Sequence, residues 1–140
     1  MPCSNLVIIF CGKDSLHQEW KQNTNDYNFD LALLKYDDCR YKDSNSKSAK
    51  FIFEKPQLKF HLFTDFLKSP GSGEFHGYER YLMLDDDIRT TPHHIGKFFE
   101  VFERYNFDLA QPALDKDSFI THEPTRKIDK AIYHTTSTVE

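Results

Sequence analysis

The sequence has few of the residues that mark several common classes of protein. Its 140 residues include three cysteines, Cys3, Cys11 and Cys39. They follow no metal-binding spacing and their odd number leaves one thiol over, so a reducing, cytoplasmic environment is favoured over a disulfide framework. Basic residues are not in excess, because 18 Lys and Arg stand against 22 Asp and Glu. The net charge of −4 gives no basic footprint for nucleic acid.

A long hydrophobic run is also missing. The longest aliphatic run, Leu6 to Phe10, is far shorter than the roughly 18 residues of a membrane span, and no basic segment precedes it as in a signal peptide. Hydrophobic residues make up 39% of the chain, with 13 Phe, which is enough for a folded core. We therefore expect no membrane span and a single domain covering residues 1–140.

Apolar runs alternate with helical patterns along the chain. The predicted strands are NLVIIF, FDLALLKYDD, KFIFEK, Tyr81 to Leu84, FDLAQPAL and AIYHTTSTVE. The predicted helices are DSLHQEWKQ, PQLKFHLFTDFLK and a Phe-rich helix that begins near Pro92. This order predicts an α/β fold with an open, mainly parallel Rossmann-like sheet and helices on both faces. Two strands, Leu6 to Phe10 and Tyr81 to Leu84, are expected in the interior, with Ile8 and Leu82 buried.

The ends of these helices carry recognisable signals. Pro56 is predicted to open the second helix, since proline is favoured in a first helical turn. Thr91 and Pro92 are predicted to supply an N-cap and a first-turn proline for the third. That helix is the clearest prediction, because Ile95, Phe98, Phe99 and Phe102 recur at i, i+3, i+4 and i+7.

Three consecutive carboxylates, Asp85, Asp86 and Asp87, directly follow an apolar strand. At ~4 Å each pair repels by about 1 kcal/mol in water and about 4 kcal/mol near a protein surface, so a cation is expected there. Because successive side chains of a strand point to opposite sides, Asp85 and Asp87 are predicted to face one crevice and bind Mg²⁺ or Mn²⁺. One carboxylate could instead favour the positive end of the helix near Pro92, but three exceed that role.

Two metal-dependent chemistries use an Asp-x-Asp after an apolar strand. In phosphatases of the haloacid-dehalogenase type, a Thr lies two residues after the second Asp, whereas this chain has Arg89 there and Thr90 one residue later. A metal-dependent phosphohydrolase is therefore the weaker alternative. The other chemistry is glycosyl transfer from a nucleotide sugar, in which the two carboxylates hold a metal against the diphosphate.

The segments YLMLDDDI, FDLAQPALDKDSFITHEPTRKI and YHTTSTVE resemble a family of GT-A glycosyltransferase-like proteins long catalogued as a domain of unknown function. The resemblance spans about Tyr78 to Glu140, and KPQLKFHLFTDFL extends it upstream. It implies a GT-A fold, a nucleotide-diphosphate sugar donor, with a UDP-sugar favoured, and an unknown acceptor. It also implies that Asp85 and Asp87 hold the metal and that Asp86 lies on the ribose or sugar side.

Further candidate residues follow other predicted strands. Cys11, Gly12 and Lys13 end the first strand, where a GT-A fold would hold the nucleotide; Gly12 allows close backbone approach and Lys13 could meet a phosphate. For Cys11 a small buried residue at a strand end is the favoured interpretation, and for Lys13 a solvated side chain is favoured over a phosphate contact. Asp37 and Asp38 end the second strand, as acceptors for uracil or ribose or as a polar turn.

Two candidates lie nearer the carboxyl terminus. Gln111 ends the fifth predicted strand and could hold a sugar hydroxyl in the crevice beside the acidic triplet. His122 is a candidate for metal or acceptor contact, although a loop histidine is more often simply exposed. His93 and His94 are interpreted as surface residues, and no catalytic base is assigned.

The last predicted strand, AIYHTTSTVE, ends the sequence, whereas a GT-A domain normally continues into an acceptor-binding half. We therefore expect a truncated core with an uncovered sheet edge, through which the chain could self-associate. A non-catalytic nucleotide- or sugar-binding module is the alternative function of a different class.

Overall fold

The computed structural model describes residues 3–20, 27–37, 46–120 and 123–134. Asp38, His122 and residues 135–140 of the last predicted strand lie outside these ranges. The chain divides into two compact units, Met1–Lys97 and Phe98–Glu140, which are described in turn. No helix of the described residues combines the length and the apolar character needed to cross a membrane.

The first unit contains a four-stranded sheet in which every pair of neighbouring strands is parallel. Its strands are β1 (Asn5–Cys11), β2 (Asp30–Lys35), β3 (Phe51–Glu54) and β4 (Arg80–Leu84). They lie in the order β3-β2-β1-β4, which confirms the parallel α/β prediction. The prediction that Tyr81 to Leu84 is an interior strand was wrong, because no described strand pairs with the outer side of β4.

Both faces of the sheet are buried at β1. On one face, Leu6, Ile8 and Phe10 form a cluster with Leu62 and Phe66 of helix α1 (Lys59–Lys68). On the other face, Val7 and Ile9 are 0% and 1% exposed. Burial on two faces explains why this strand is a continuous apolar run rather than an alternating one. Ile8 and Leu82 are buried, as predicted.

Helix α1 begins at Lys59, three residues later than Pro56 predicts. The backbone N–H groups of Lys55 and Gln57 donate to the carbonyls of Lys35 and Tyr36. These bonds continue the pairing between β3 and β2, so the chain stays extended through Leu58, whose φ and ψ are −61° and 140°. Strand pairing therefore overrides the local proline signal.

Helix α2 (Pro92–Arg104) confirms the predicted Phe-rich helix. The Thr91 side-chain oxygen accepts a hydrogen bond from the backbone N–H of His94 at 3.2 Å, which is the predicted N-cap. Ile95 is 3% exposed. Near the same end, the side-chain amide of Asn28 donates to the Gly96 carbonyl at 3.3 Å.

The predicted helix DSLHQEWKQ is wrong for the residues described. A single 3₁₀ turn covers Leu16–Glu19, and Trp20 is already extended. The N–H of Leu16 donates to the Asp86 carbonyl at 2.8 Å, and the Ser15 hydroxyl is 2.6 Å from His17 Nδ1. These contacts hold the segment in a short turn, because neither is a backbone hydrogen bond of an α-helix.

The second unit does not contain the predicted strand FDLAQPAL. After α2, Asn106 has a φ of 51°, and the N–H of Phe107 returns to the Phe102 carbonyl at 3.2 Å. Phe107 then packs against the rings of Phe102, Tyr105 and Tyr133. Phe107, which the sequence pattern placed in a strand, thus packs against the carboxyl end of α2.

Only isolated pairing occurs in the rest of that segment as described. Leu114 forms a single parallel bridge with Arg126. Leu109 is 73% exposed, so the alternation of apolar and polar residues there produces no buried face. Pro112 also has no N–H to donate to a neighbouring strand. Residues 131–134, the described part of the last predicted strand, have no strand structure either.

Candidate functional site

The candidate site is an open cleft at the carboxyl ends of β1 and β4. The chain passes from β1 to β2 to β3 in one direction and then returns to the other side of β1 for β4. In open parallel sheets such a reversal of direction is where ligands bind. The cleft has a volume of about 300 Å³ and is lined by Phe10, Tyr36, Gln57, Lys59, Asp85, Asp86 and Asp87.

The acidic triplet lies in the turn after β4. The strand ends at Leu84, so the alternation expected of Asp85, Asp86 and Asp87 does not continue through them. All three line the cleft, including Asp86, which strand alternation would have placed on the opposite side from Asp85 and Asp87. The Asp86 carbonyl is fixed by Leu16 N–H, which attaches this turn to the segment that follows β1.

Each of the three carboxylates has a different environment. Asp85 Oδ1 lies 2.5 Å from the ammonium of Lys59, and Asp86 Oδ2 accepts a hydrogen bond from the Tyr36 hydroxyl. Asp87 is exposed and has no hydrogen-bond or ion-pair partner within the described part of the chain. The lining side chains include three carboxylates and one ammonium, that of Lys59. The cleft therefore has an excess of negative charge.

Tyr36 is held in its neutral form by this arrangement. Its hydrogen bond to Asp86, followed by partial burial and the negative charge of Asp86 and Asp37, raises the pKa of the Tyr36 phenol well above its ordinary value. The phenol therefore acts as a fixed hydrogen-bond donor to Asp86 across the ordinary pH range.

Gly12 lies where the Tyr36 side chain crosses the end of β1. A Cβ atom on Gly12 would be 2.8 Å from the Tyr36 hydroxyl and 3.0 Å from Asp37 Oδ2, and real Cβ atoms essentially never approach another atom at the shorter distance. Asp37 Oδ2 in turn accepts a hydrogen bond from the Lys13 N–H at 2.7 Å. Residues that follow β1 and β2 are thus brought together at the same end of the sheet.

The remaining predicted residues are distributed as follows. Cys11 is fully buried, and its carbonyl accepts the Tyr36 N–H at 3.2 Å. The Lys13 side chain is exposed. Gln111 belongs to the second unit and is half-buried in a segment without regular structure. Asp38 and His122 are outside the described residues.

Tyr36, Gln57 and Lys59 line the cleft but were not among the predicted site residues. Tyr36 directly precedes Asp37, so its position after β2 was a usable signal. Gln57 and Lys59 follow β3, at the far edge of the sheet from β4. Only the strand order could have indicated them. A chain that goes from β3 to β4 must cross the sheet, and here Gln57 and Lys59 lie where that crossing begins, at the carboxyl ends of the strands.

The donor chemistry of the cleft suits a hard divalent cation. Among the described residues, no three His, Cys, Asp or Glu side chains are grouped to hold a metal ion by themselves. Mg²⁺ needs only one or two protein carboxylates when water and substrate phosphates complete its shell. Asp85 and Asp87, on the same cleft, meet that smaller requirement.

Comparison with known proteins adds no further constraint on the site. No family model, curated protein or solved structure matches this chain.

Proposed function

We propose that this chain is a GT-A-like glycosyltransferase domain that binds a nucleotide-diphosphate sugar in the cleft between β1 and β4 and transfers the sugar to an acceptor hydroxyl. One observation carries the proposal: three carboxylates and one ammonium line a cleft at the reversal of the strand order. A parallel sheet binds ligands at that position. The excess of carboxylates favours a ligand that arrives together with a cation.

Asp85 and Asp87 would hold the cation, Mn²⁺ or Mg²⁺. Asp87 has no competing partner within the described residues, and Asp85 is half-exposed on the same cleft. When bound, the cation would neutralise negative charge on the departing nucleoside diphosphate. The carboxylates of this chain would orient the donor, and they would also repel a diphosphate that arrives without metal.

Asp86, which follows β4, and Asp37, which follows β2, would position the nucleoside. Asp86 is oriented by the Tyr36 hydroxyl, and Asp37 is oriented by the Lys13 N–H, so both carboxylates are fixed before a ligand binds. Fixed acceptors suit ribose hydroxyls or the N–H of uracil, and orientation in advance reduces the entropic cost of binding. The cleft volume of about 300 Å³ is at the lower end for small-molecule sites, which suits part of a nucleotide sugar.

The direct test is a panel of UDP-sugars incubated with the protein, with and without Mn²⁺, while release of UDP and binding of UDP are both measured. We expect Mn²⁺-dependent binding and release in the wild type and their loss in Asp87→Asn. Asp129→Asn, which removes an exposed carboxylate of the second unit, is the matched control and should behave as the wild type. Binding without release would identify a non-catalytic module, and an absence of Mn²⁺-dependent binding would refute the proposal.

A further inference from the structure

Lys59 is the first residue of α1 and brings an ammonium group into the acidic cleft. Its Nζ lies 2.5 Å from Asp85 Oδ1, and the two side chains are 38% and 49% exposed. The same ammonium is 5.8 Å from the centroid of the Phe10 ring. The contact to Asp85 is therefore a partly hydrated ion pair on a long, flexible side chain, which can be broken at small cost.

The Lys59 ammonium occupies the carboxylate that a divalent cation at Asp85 and Asp87 would use. A divalent cation and an ammonium repel strongly when they share one carboxylate oxygen. A divalent cation bound at Asp85 would therefore favour displacement of Lys59 from that carboxylate. The backbone of Lys59 stays fixed in α1, so the displaced ammonium remains within reach of the cleft.

We propose that Lys59 is an exchangeable cation: it pairs with Asp85 when no metal is bound and moves to an anionic group of the ligand when a divalent cation takes Asp85. The inference rests on the proposed function, and the anionic group it names is a diphosphate. It follows that Lys59 weakens binding of metal alone and strengthens binding of metal and diphosphate together. Binding of the two ligands is thereby coupled through one side chain.

Lys55 provides a matched control for this inference. It lies four residues earlier, its Nζ forms an ion pair with Asp65, and its side chain is 52% exposed. Lys55 is not a lining residue of the cleft. Lys55→Met and Lys59→Met therefore remove the same charge from the same region, but only the second removes it from Asp85.

The experiment is calorimetric titration at constant ionic strength, first with Mn²⁺ alone and then with UDP at saturating Mn²⁺. Relative to Lys55→Met, we expect Lys59→Met to bind Mn²⁺ about two- to fivefold more tightly, in line with the strength of partly exposed ion pairs. We expect it to bind UDP at least about threefold more weakly, because a charge-assisted contact is lost. Lys59→Arg, which keeps the charge, should bind Mn²⁺ alone and UDP at saturating Mn²⁺ with affinities close to those of the wild type.

Two results would overturn the exchange, and they are distinguishable. If the wild type binds Mn²⁺ and Asp87→Asn does not, but Lys59→Met matches Lys55→Met in both titrations, the exchange is wrong and the metal site stands. If the folded wild type binds neither Mn²⁺ alone nor UDP in the presence of Mn²⁺, the proposed function and the exchange both fail. Circular dichroism of each variant establishes that the compared proteins are folded.

Discussion

The hydroxyl of Tyr36, which follows β2, donates a hydrogen bond to Asp86 in the turn after β4, although β1 lies between these strands. The bond therefore spans the end of the central strand. It can do so because Gly12, which follows β1, has no side chain to block the Tyr36 ring. One side-chain contact thus connects the ends of β2 and β4 across the end of β1, and its removal is the first test of how the cleft is held.

Tyr36→Phe removes the hydroxyl and keeps the ring. We expect the free energy of unfolding to fall by about 1 kcal/mol near neutral pH, because a hydrogen bond to a half-buried carboxylate is lost. Denaturation in urea measures the difference. Tyr133→Phe, which removes a hydroxyl of the second unit from a half-exposed ring, is the control and should be nearly neutral; an equal cost in both variants would contradict the assignment.

The same variant makes a prediction about alkaline pH. Because the folded pKa of Tyr36 is raised above its ordinary value of 10.0, its contribution to stability is complete below about pH 10 and is lost as the pH rises through the folded pKa. The stability difference between wild type and Tyr36→Phe should therefore shrink above pH 10. Burial and a hydrogen bond to Asp30 also raise the pKa of Tyr78, to about 12, but that contribution is common to both proteins.

Gly12→Ala tests the close approach of Tyr36 to the end of β1. The added Cβ would lie 2.8 Å from the Tyr36 hydroxyl, so we expect the ring to shift and the free energy of unfolding to fall by about 1–3 kcal/mol. In the Tyr36→Phe background the same change should cost less, since the nearest atom is absent. A double-mutant cycle measures this coupling. Gly73→Ala, where no atom lies within 4 Å, is the control, and additive costs would refute the crossing.

Lys35 and Glu54 give a prediction about the sheet. They are paired in register between β2 and β3, with Lys35 Nζ 2.8 Å from Glu54 Oε1, and Lys35 is only 4% exposed. Glu54→Gln should lower the free energy of unfolding by about 1–2 kcal/mol, because it withdraws a carboxylate from a buried ammonium. Lys35→Met removes the charge itself and should cost less. Urea denaturation measures both losses. If Lys35→Met loses more unfolding free energy than Glu54→Gln, the ion pair does not compensate the burial of Lys35.

The sheet was predictable because its signals are local and redundant. The run from Leu6 to Phe10 is apolar on both sides of the strand, and that pattern alone indicates a buried parallel strand. Helix α2 was predictable for the same reason: the Thr91 cap and the spacing of Ile95 and Phe99 indicate one helix.

The errors lie where contacts distant in sequence decided the local structure. Pro56 did not begin a helix because the next residues pair with β2, and Phe107 did not enter a strand because its ring packs against the end of α2. The candidate site likewise combines a local sequence signal with a contact between residues distant in sequence. The triplet was visible in the sequence, but Lys59 is separated from Asp85 by 26 residues, and only the strand order brings them together.

Asp87→Asn is the sharpest test of the candidate metal site, because Asp87 has no partner to lose within the described residues. Without metal, the variant should be as stable as the wild type or slightly more stable, since like-charge repulsion of on the order of 1 kcal/mol is relieved. With saturating Mn²⁺ and UDP the order should reverse, because the wild type gains about 2.7 kcal/mol at a hundredfold excess over the Kd and the variant gains little. Thermal melts of both proteins and of Asp129→Asn, with and without the ligands, measure this. If Asp87 instead only favours the start of α2, the variant should be less stable without ligand, and Mn²⁺ should shift the melting temperatures of all three proteins equally.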